Sequence, residues 1–234
     1  MAPPDSDPAN DPADERASPQ AGTVTRIAEQ RRKRGRVWVE IDGRHGFSLA
    51  DEVVARAGLA AGDDLDEAAL EQLLAADEVA RATETALAFL AYRPRSEKEV
   101  RDRLRRGGFG QSAADQTIAR LHEWRYLDDA DFARRWVESR AAGRPRGNRL
   151  LQQELHQKGI DRETAREIID EADIDEAAAA EALARSRIGA YAGEEPAVIR
   201  RRLGAYLARR GYSYDIVRGA IERVLGDEDS DPAE

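Results

Sequence analysis

Arginine is the residue type in this 234-residue chain that could most readily do chemistry, because its planar guanidinium group binds phosphates and carboxylates through paired hydrogen bonds. One basic run lies near the N-terminus and consists of Arg31, Arg32, Lys33 and Arg34. Further candidates occur in three later stretches, at Arg93, Arg95, Arg101, Arg105, Arg144, Arg146, Arg149, Arg200, Arg201 and Arg209. These positions predict contacts with an anionic partner such as nucleic acid. A solvated helical face is the alternative.

Other patterns that could support catalysis or metal binding have simpler structural interpretations. His45, His122 and His156 lack the partner at i+3 or i+4 that a helical metal site needs. The cluster from Gly107 to Gly110 lacks the lysine of a phosphate-binding loop and is typical of a helix C-cap. No serine lies in a nucleophile-elbow sequence. The sequence therefore predicts a protein that is not an enzyme and needs no cofactor or metal.

Three aromatic residues could serve either as core or as platforms for nucleic-acid bases. Trp136 falls on the same helical face as Phe132, and Trp124 lies three residues after Leu121. This spacing favours core packing for Trp124, Tyr126 and Trp136. Stacking on single-stranded nucleic acid is the alternative.

An internal repeat defines the elements that must position the arginines. Four apolar anchors with constant offsets of 4, 5 and 9 residues occur three times, as Val100, Leu104, Phe109 and Ile118, as Leu151, Leu155, Ile160 and Ile169, and as Leu203, Leu207, Tyr212 and Ile221. A glycine precedes the third anchor each time, at Gly108, Gly159 and Gly211. A proline precedes the first anchor, at Pro94, Pro145 and Pro196. Such a repeat indicates a tandem array rather than one globular core.

Each repeat predicts three helices. The step from Val100 to Leu104 places two apolar side chains on one helical face, and Ser96 with Glu99 has the pattern of a capping box. The glycine suits the left-handed conformation that ends this helix. The next helix begins at a capping residue, which is Ser112, Asp161 or Ser213. A preceding helix is predicted at Val79 to Tyr92, Asp129 to Ala142 and Asp175 to Ala190.

The predicted fold is therefore mainly α, a curved helical solenoid of three three-helix repeats with about nine helices. The repeats are expected at residues 79–127, 128–174 and 175–225. If they stack in register, the second helices lie side by side and their arginines form one basic stripe.

A small α+β region at residues 23–78 precedes the repeats. Alternation of polar and apolar residues predicts strands at Thr23 to Glu29, Val37 to Ile41 and His45 to Leu49. The basic run lies in the first hairpin loop, and Asp42-Gly43 forms the second turn. Helices are predicted at Ala50 to Ala57 and Asp66 to Ala76. We expect a three-stranded cap that is too small to be stable without its neighbour.

The net charge of -9 comes from the two ends of the chain. Residues 1–22 carry five acids and one arginine, and residues 226–234 carry five acids. Both are predicted to be disordered tails. Residues 93–149 instead carry fifteen basic residues against nine acids, a surplus of six positive charges within the predicted repeats.

Three absences from the sequence indicate a soluble, cytoplasmic protein. There is no cysteine, which is typical of a reducing compartment. The N-terminus lacks the pattern of a secretory signal, and no stretch approaches the roughly 18 consecutive apolar residues of a membrane span. A monomer without a membrane partner is expected.

Four separated segments resemble the successive signatures of the RecX regulatory proteins. They are Leu87 to Val100 leading to Gly108-Phe109, then Tyr126 to Ala133, Gln153 to Ile160 and Leu207 to Ile216. The resemblance covers about residues 79 to 225, and the N-terminal hairpin is similar to an extension found in some members.

The resemblance implies a non-enzymatic modulator of the bacterial RecA recombinase. RecX proteins have three three-helix repeats and bind in the groove of the RecA filament on single-stranded DNA. They usually inhibit ATP hydrolysis and strand exchange and limit filament growth, within DNA recombination and repair. From the basic hairpin and the arginines alone, a helical nucleic-acid-binding module that acts without a recombinase is the alternative.

Overall fold

The computed structural model describes residues 19–31 and 33–228, which form two compact units. The first unit contains the chain up to Arg93 together with Val100–Tyr126. The second contains Pro94–Glu99 together with the chain from Leu127 onward. Most of both predicted tails, at residues 1–18 and 229–234, lies outside the described residues.

The first unit begins with a four-stranded antiparallel sheet in the order β3-β2-β1-β4. Its strands are β1 (Gly22–Glu29), β2 (Arg36–Ile41), β3 (His45–Ala50) and β4 (Asp64–Leu65). The three predicted strands are confirmed, but the prediction of a three-stranded cap missed β4. That strand has only two residues, and hydrophobic alternation cannot identify so short a segment.

Two helices, α1 (Asp51–Ala57) and α2 (Glu67–Leu90), supply the other half of this core. Val39, Ile41 and Leu49 of the sheet are fully buried and belong to one cluster with Val53 of α1 and Leu73 of α2. The apolar face of the sheet is thus covered by helices, which gives this small region a core of its own.

Helix α2 is continuous, so the prediction of separate helices at Asp66 to Ala76 and Val79 to Tyr92 is wrong. Asp66 caps its start by accepting a hydrogen bond from the Ala69 amide at 2.7 Å. No glycine or proline interrupts the sequence between Glu67 and Leu90, so the helix has no local reason to end near residue 77. One helix therefore serves both the sheet and the first repeat.

Asp77 stabilises the middle of α2 through buried polar contacts. Its carboxylate accepts a hydrogen bond from the Ala50 amide at 2.7 Å and pairs with Arg36 of β2 at 3.0 Å. Arg81, one turn later in α2, donates to the same carboxylate at 3.0 Å. The side chain is only 6% exposed, so water cannot replace these partners.

Replacing Asp77 with alanine is expected to lower the free energy of unfolding by about 1–3 kcal/mol, because the Ala50 amide and the Arg36 guanidinium lose their acceptor. Urea denaturation followed by circular dichroism would measure the change. Asp115→Ala is the matched control, since its pair with Arg101 is largely solvent-exposed and is worth about 0–1 kcal/mol. Equal effects of the two substitutions would contradict the assigned role of Asp77.

The first repeat is completed by α3 (Glu97–Arg106) and α4 (Gln111–Glu123). The capping box at its start is confirmed, because Ser96 Oγ accepts from the Glu99 amide and Glu99 Oε2 accepts from the Ser96 amide, both at 3.3 Å. The predicted cap at Ser112 is wrong. Gly110 is the N-cap of α4, and its amide donates to Glu78 Oε1 at 2.7 Å, which holds the chain where the helix begins.

The second unit contains the second and third repeats. The second repeat consists of α5 (Asp129–Gly143), α6 (Asn148–Gln157) and α7 (Arg162–Glu171), and the third of α8 (Glu176–Ile188), α9 (Pro196–Arg209) and α10 (Tyr214–Glu228). Asp161 caps α7 as predicted, and its hydrogen bonds to Thr164 hold the pKa of its carboxyl below the usual range. The anchors Leu151, Leu155, Leu203 and Leu207 are all buried.

The three repeat glycines have the predicted left-handed conformation, with φ of 81° at Gly108, 93° at Gly159 and 91° at Gly211. At two of these glycines, the absence of a side chain also lets a residue of another helix pack closely against the backbone. A Cβ at Gly159 would lie 2.7 Å from Lys98 Cβ, and one at Gly211 would lie 2.6 Å from the Leu150 amide nitrogen. Lys98 lies near the start of one second helix and Leu150 near the start of the next, so in both cases a repeat glycine packs against the beginning of the preceding repeat's second helix, within the second unit.

Candidate functional site

The largest set of predicted contact residues that the structure brings together lines one open groove of the second unit. Its volume is about 520 Å³, and its walls come from α6, α9 and the start of α10. Arg149 lies on α6, Arg200, Arg201 and Arg209 lie on α9, and Tyr214 begins α10. We call these five residues the arginine groove.

The apolar residues of α9 determine which way its arginines point. Ile199, Leu203 and Leu207 recur at every fourth position and are buried in the core of the third repeat. Arg200 and Arg201 follow Ile199 directly and therefore lie on the exposed side of the same helix.

Gly147 lets α6 lie close enough to α9 for Arg149 to join this surface. The Gly147 amide donates to the Arg210 carbonyl at 2.9 Å. A Cβ at Gly147 would lie 2.5 Å from the Tyr212 amide nitrogen, which is closer than real Cβ atoms approach. The start of α6 thus packs directly on the backbone that follows α9.

The positive charge of the arginine groove is not neutralised by any residue that the structure describes. Arg149, Arg200, Arg201 and Arg209 make no ion pair or side-chain hydrogen bond with any residue in 19–31 or 33–228. Guanidinium groups that are exposed, close together and unpaired attract phosphate or carboxylate.

Two tyrosines contribute differently to the groove. Tyr214 is 74% exposed, so its ring can stack on a planar ligand. Tyr212 is buried, and burial together with the negative charge of Glu176 raises the pKa of its hydroxyl to about 12. Tyr212 is therefore neutral near pH 7, and the charge of the groove comes from the arginines.

Comparison with known proteins identifies the family. Models of the first, second and third three-helix domains of RecX match residues 82–121, 128–172 and 174–221. The chain belongs to the RecX family of regulatory proteins. The regulatory protein RecX of Bacillus velezensis is 31% identical over 89% of this chain and 80% of its own length. That of Leuconostoc mesenteroides is 28% identical over 89% of this chain and 78% of its own length.

Two crystal structures of RecX proteins share the fold. One is 22% identical, with a TM-score of 0.73 over 88% of this chain and 98% of its own. The RecX structure from Lactobacillus salivarius is 24% identical, with a TM-score of 0.59 over 64% of this chain and 97% of its own. The predicted array of three RecX three-helix repeats is thereby confirmed.

Arg144 and Arg146 lie in a different basic cluster of the second unit, around the buried carboxylate of Glu154. Arg146 is ion-paired with Glu154, which also accepts from Arg140 at 3.0 Å. Burial lowers the pKa of the Arg146 guanidinium, and the nearby positive charges of Arg140, Arg210 and Arg144 lower it further. Arg146 thus has a structural partner, whereas the arginines of the groove have none among the described residues.

The other predicted contact residues lie outside both basic clusters of the second unit. Arg101 is ion-paired with Asp115, and Arg105 donates to Asp102 at 2.7 Å. Arg93 and Arg95 lie in the connection from α2 to α3. Arg31, Lys33 and Arg34 are exposed in the β1–β2 loop, and Arg32 lies outside the described residues.

The aromatic predictions had mixed outcomes. Trp136 packs as predicted, since its ring stacks on Phe132 with centroids 5.8 Å apart and its indole nitrogen donates to Glu154 at 2.9 Å. Core packing is wrong for Trp124 and Tyr126, which are 49% and 59% exposed. Both follow the C-terminal end of α4, where the turn points them away from the core that Leu121 enters.

The groove residue that the sequence analysis missed is Tyr214. It directly follows the capping residue Ser213, whose Oγ accepts from the Ile216 amide at 3.4 Å, so it occupies the solvent-facing first turn of α10. An aromatic residue just after a cap, near arginines of the preceding helix, is the signal that could have identified it.

Two other kinds of site are absent from the described parts of the chain. No group of three or more histidine and acidic side chains there could hold a metal ion. None of the helices in those parts is long and apolar enough to cross a membrane.

Proposed function

We propose that this RecX protein binds the filament that the RecA recombinase forms on single-stranded DNA, and that it inhibits ATP hydrolysis, filament growth and strand exchange. Family membership and the arginine groove support this function. The observation that carries it is the set of four guanidinium groups in one groove that have no ionic partner among the described residues. These groups can meet the phosphates of the DNA strand or acidic side chains of the recombinase.

The same proposal covers the setting in which the protein acts. It works in the cytoplasm as a monomer, in DNA recombination and repair, and it regulates its partner without catalysing a reaction. The groove suits this role, because exposed arginines bind a charged partner reversibly while the folded core stays unchanged.

The proposal is tested by titrating the DNA-dependent ATPase of the cognate recombinase with two triple variants. In the groove variant, Arg149, Arg200 and Arg201 become alanine. In the control, three exposed arginines elsewhere in the second unit change instead, Arg134, Arg162 and Arg166. The groove variant is expected to need roughly tenfold more protein for half-inhibition. The slope of log affinity against log salt concentration should become shallower by about two, because fewer counterions are released on binding.

The control variant should inhibit like the unmodified protein, because it loses the same charge outside the groove. Equal inhibition and equal salt dependence for the two variants would show that the groove is not the contact surface. Failure of the unmodified protein to change the ATPase at all would refute the regulatory function itself.

A second candidate function, direct binding of single-stranded nucleic acid without a recombinase, is favoured by Tyr214. An exposed ring beside unpaired arginines is the arrangement that single-strand binding proteins use. The discriminating measurement is affinity for recombinase filaments against affinity for bare single-stranded DNA of the same length. Tighter binding to the filament favours the regulator, and equal binding favours the second function.

A further inference from the structure

A second cationic and aromatic groove lies in the first unit, between the C-terminal end of α2 and α3. Its volume is about 470 Å³, and Phe89, Tyr92, Arg103 and Arg106 line it together with Glu84. Tyr92 is 88% exposed, the largest exposed fraction among the large hydrophobic residues of the described chain. We call the set Tyr92, Arg103 and Arg106 the first-repeat groove.

Equivalent positions in the other repeats show what this groove lacks. Ala82, Ala133 and Ala180 are fully buried first-helix residues, and aligning them makes Phe89, Arg140 and Arg187 equivalent. The repeat anchors make Arg103, Glu154 and Tyr206 equivalent on the second helices. The two helices of each repeat thus face each other through one pair of side chains.

In the second and third repeats the protein itself completes this pair. Arg140 donates to Glu154 at 3.0 Å, and Arg187 lies over the Tyr206 ring at 5.3 Å. In the first repeat the second-helix residue is Arg103, and the equivalent first-helix position holds the uncharged Phe89. Within residues 19–31 and 33–228, the guanidinium of Arg103 makes no ion pair or side-chain hydrogen bond.

The remaining groups indicate the chemistry of a ligand. Arg106 donates through Nε to the Asp102 carbonyl at 3.0 Å, which leaves its terminal NH groups available for an anion. Tyr92 adds an exposed ring near these two cations. A phosphate next to a planar base would use all three side chains, whereas an acidic peptide would leave the ring of Tyr92 without a contact.

We propose that the first-repeat groove binds one nucleotide of a single-stranded nucleic acid, with the base stacked on Tyr92 and the phosphate held by Arg103 and Arg106. The site is separate from the arginine groove and does not depend on the recombinase. Glu84 carries the opposite charge at the same groove, so it confines the phosphate to the arginine side.

The test is photocrosslinking of the full-length protein to a short oligonucleotide that carries 5-iododeoxyuridine, with no recombinase present. The adduct is expected on the tryptic peptide that contains Tyr92, because the halogenated base reacts with a ring on which it stacks. Tyr92→Phe should keep the crosslink and Tyr92→Ala should remove it. Tyr126→Ala is the matched control, since Tyr126 is also exposed but lines neither groove.

Affinity is measured in the background that lacks Arg149, Arg200 and Arg201, so that the arginine groove contributes little. Fluorescence anisotropy of the same oligonucleotide should then show a loss of about fivefold or more for Tyr92→Ala. Glu84→Gln should tighten binding, because the repelling charge is gone.

Three results would overturn the proposal. The first is no residual binding by the variant that lacks Arg149, Arg200 and Arg201, and the second is crosslinking only at Tyr214. The third is that a poly-glutamate peptide competes as well as an abasic oligonucleotide while Tyr92→Ala has no effect on binding. The last result would assign the groove to an acidic protein segment. None of these outcomes bears on the ATPase titration, so the proposed regulatory function is judged independently.

Discussion

Gly211→Ala is expected to lower the free energy of unfolding by about 3 kcal/mol or more. The left-handed φ of 91° alone costs an alanine about 1–2 kcal/mol. The added methyl group would also lie 2.6 Å from the Leu150 amide nitrogen, and backbone cannot move aside as a flexible side chain can. Relieving that overlap costs about 1–3 kcal/mol more and separates α6 from the end of α9.

Gly108→Ala provides the matched control for Gly211→Ala. Gly108 holds the equivalent position in the first repeat and has a similar φ of 81°, but a Cβ there would meet nothing within 4 Å. Its substitution should therefore cost only the conformational part, about 1–2 kcal/mol. Urea denaturation of both variants would measure the difference. Equal costs would show that the close packing at Gly211 contributes nothing to stability.

Leu155→Ala is expected to lower the free energy of unfolding by about 2–5 kcal/mol. Leu155 is completely buried in the second repeat, in one cluster with Phe132, Ile160 and Ile169. Removing its isobutyl group leaves a cavity, since these neighbours are anchored on three different segments and cannot all move inward.

His156→Ala is the control for Leu155→Ala, because His156 is the next residue on the same helix and is exposed. Its effect should stay within about 0.5 kcal/mol. Thermal and urea denaturation of both variants would test the expectation. A shift at Leu155 no larger than the shift at His156 would contradict the assignment of Leu155 as a core anchor.

Local chemistry in the sequence determined the repeat architecture. The constant offsets of the anchors, the capping box at Ser96 and Glu99, and the glycines that end the second helices all act within one or two helical turns. Such patterns need no knowledge of distant neighbours, and they are the ones that the structure and the family comparison confirm. The family itself was also identifiable, because its signatures are short local segments.

Contacts between residues far apart in sequence were decided only by the tertiary structure. Asp77 accepts a hydrogen bond from Arg36, which lies 41 residues earlier, so the attachment of α2 to the sheet could not be predicted from neighbouring residues. Gly211 was predicted as a helix cap, but its second role depends on Leu150 in the preceding repeat.

The arginines show most clearly what local sequence predicts and what only long-range contacts decide. Their number and clustering were visible in the sequence, and their role as partner contacts remains a prediction. Arg101 finds Asp115 and Arg146 finds Glu154, whereas Arg149 and Arg201 meet no acid among the described residues. A charge is a property of one residue, but its neutralisation depends on where the packed helices place the nearest carboxylate, and only the folded chain determines that distance.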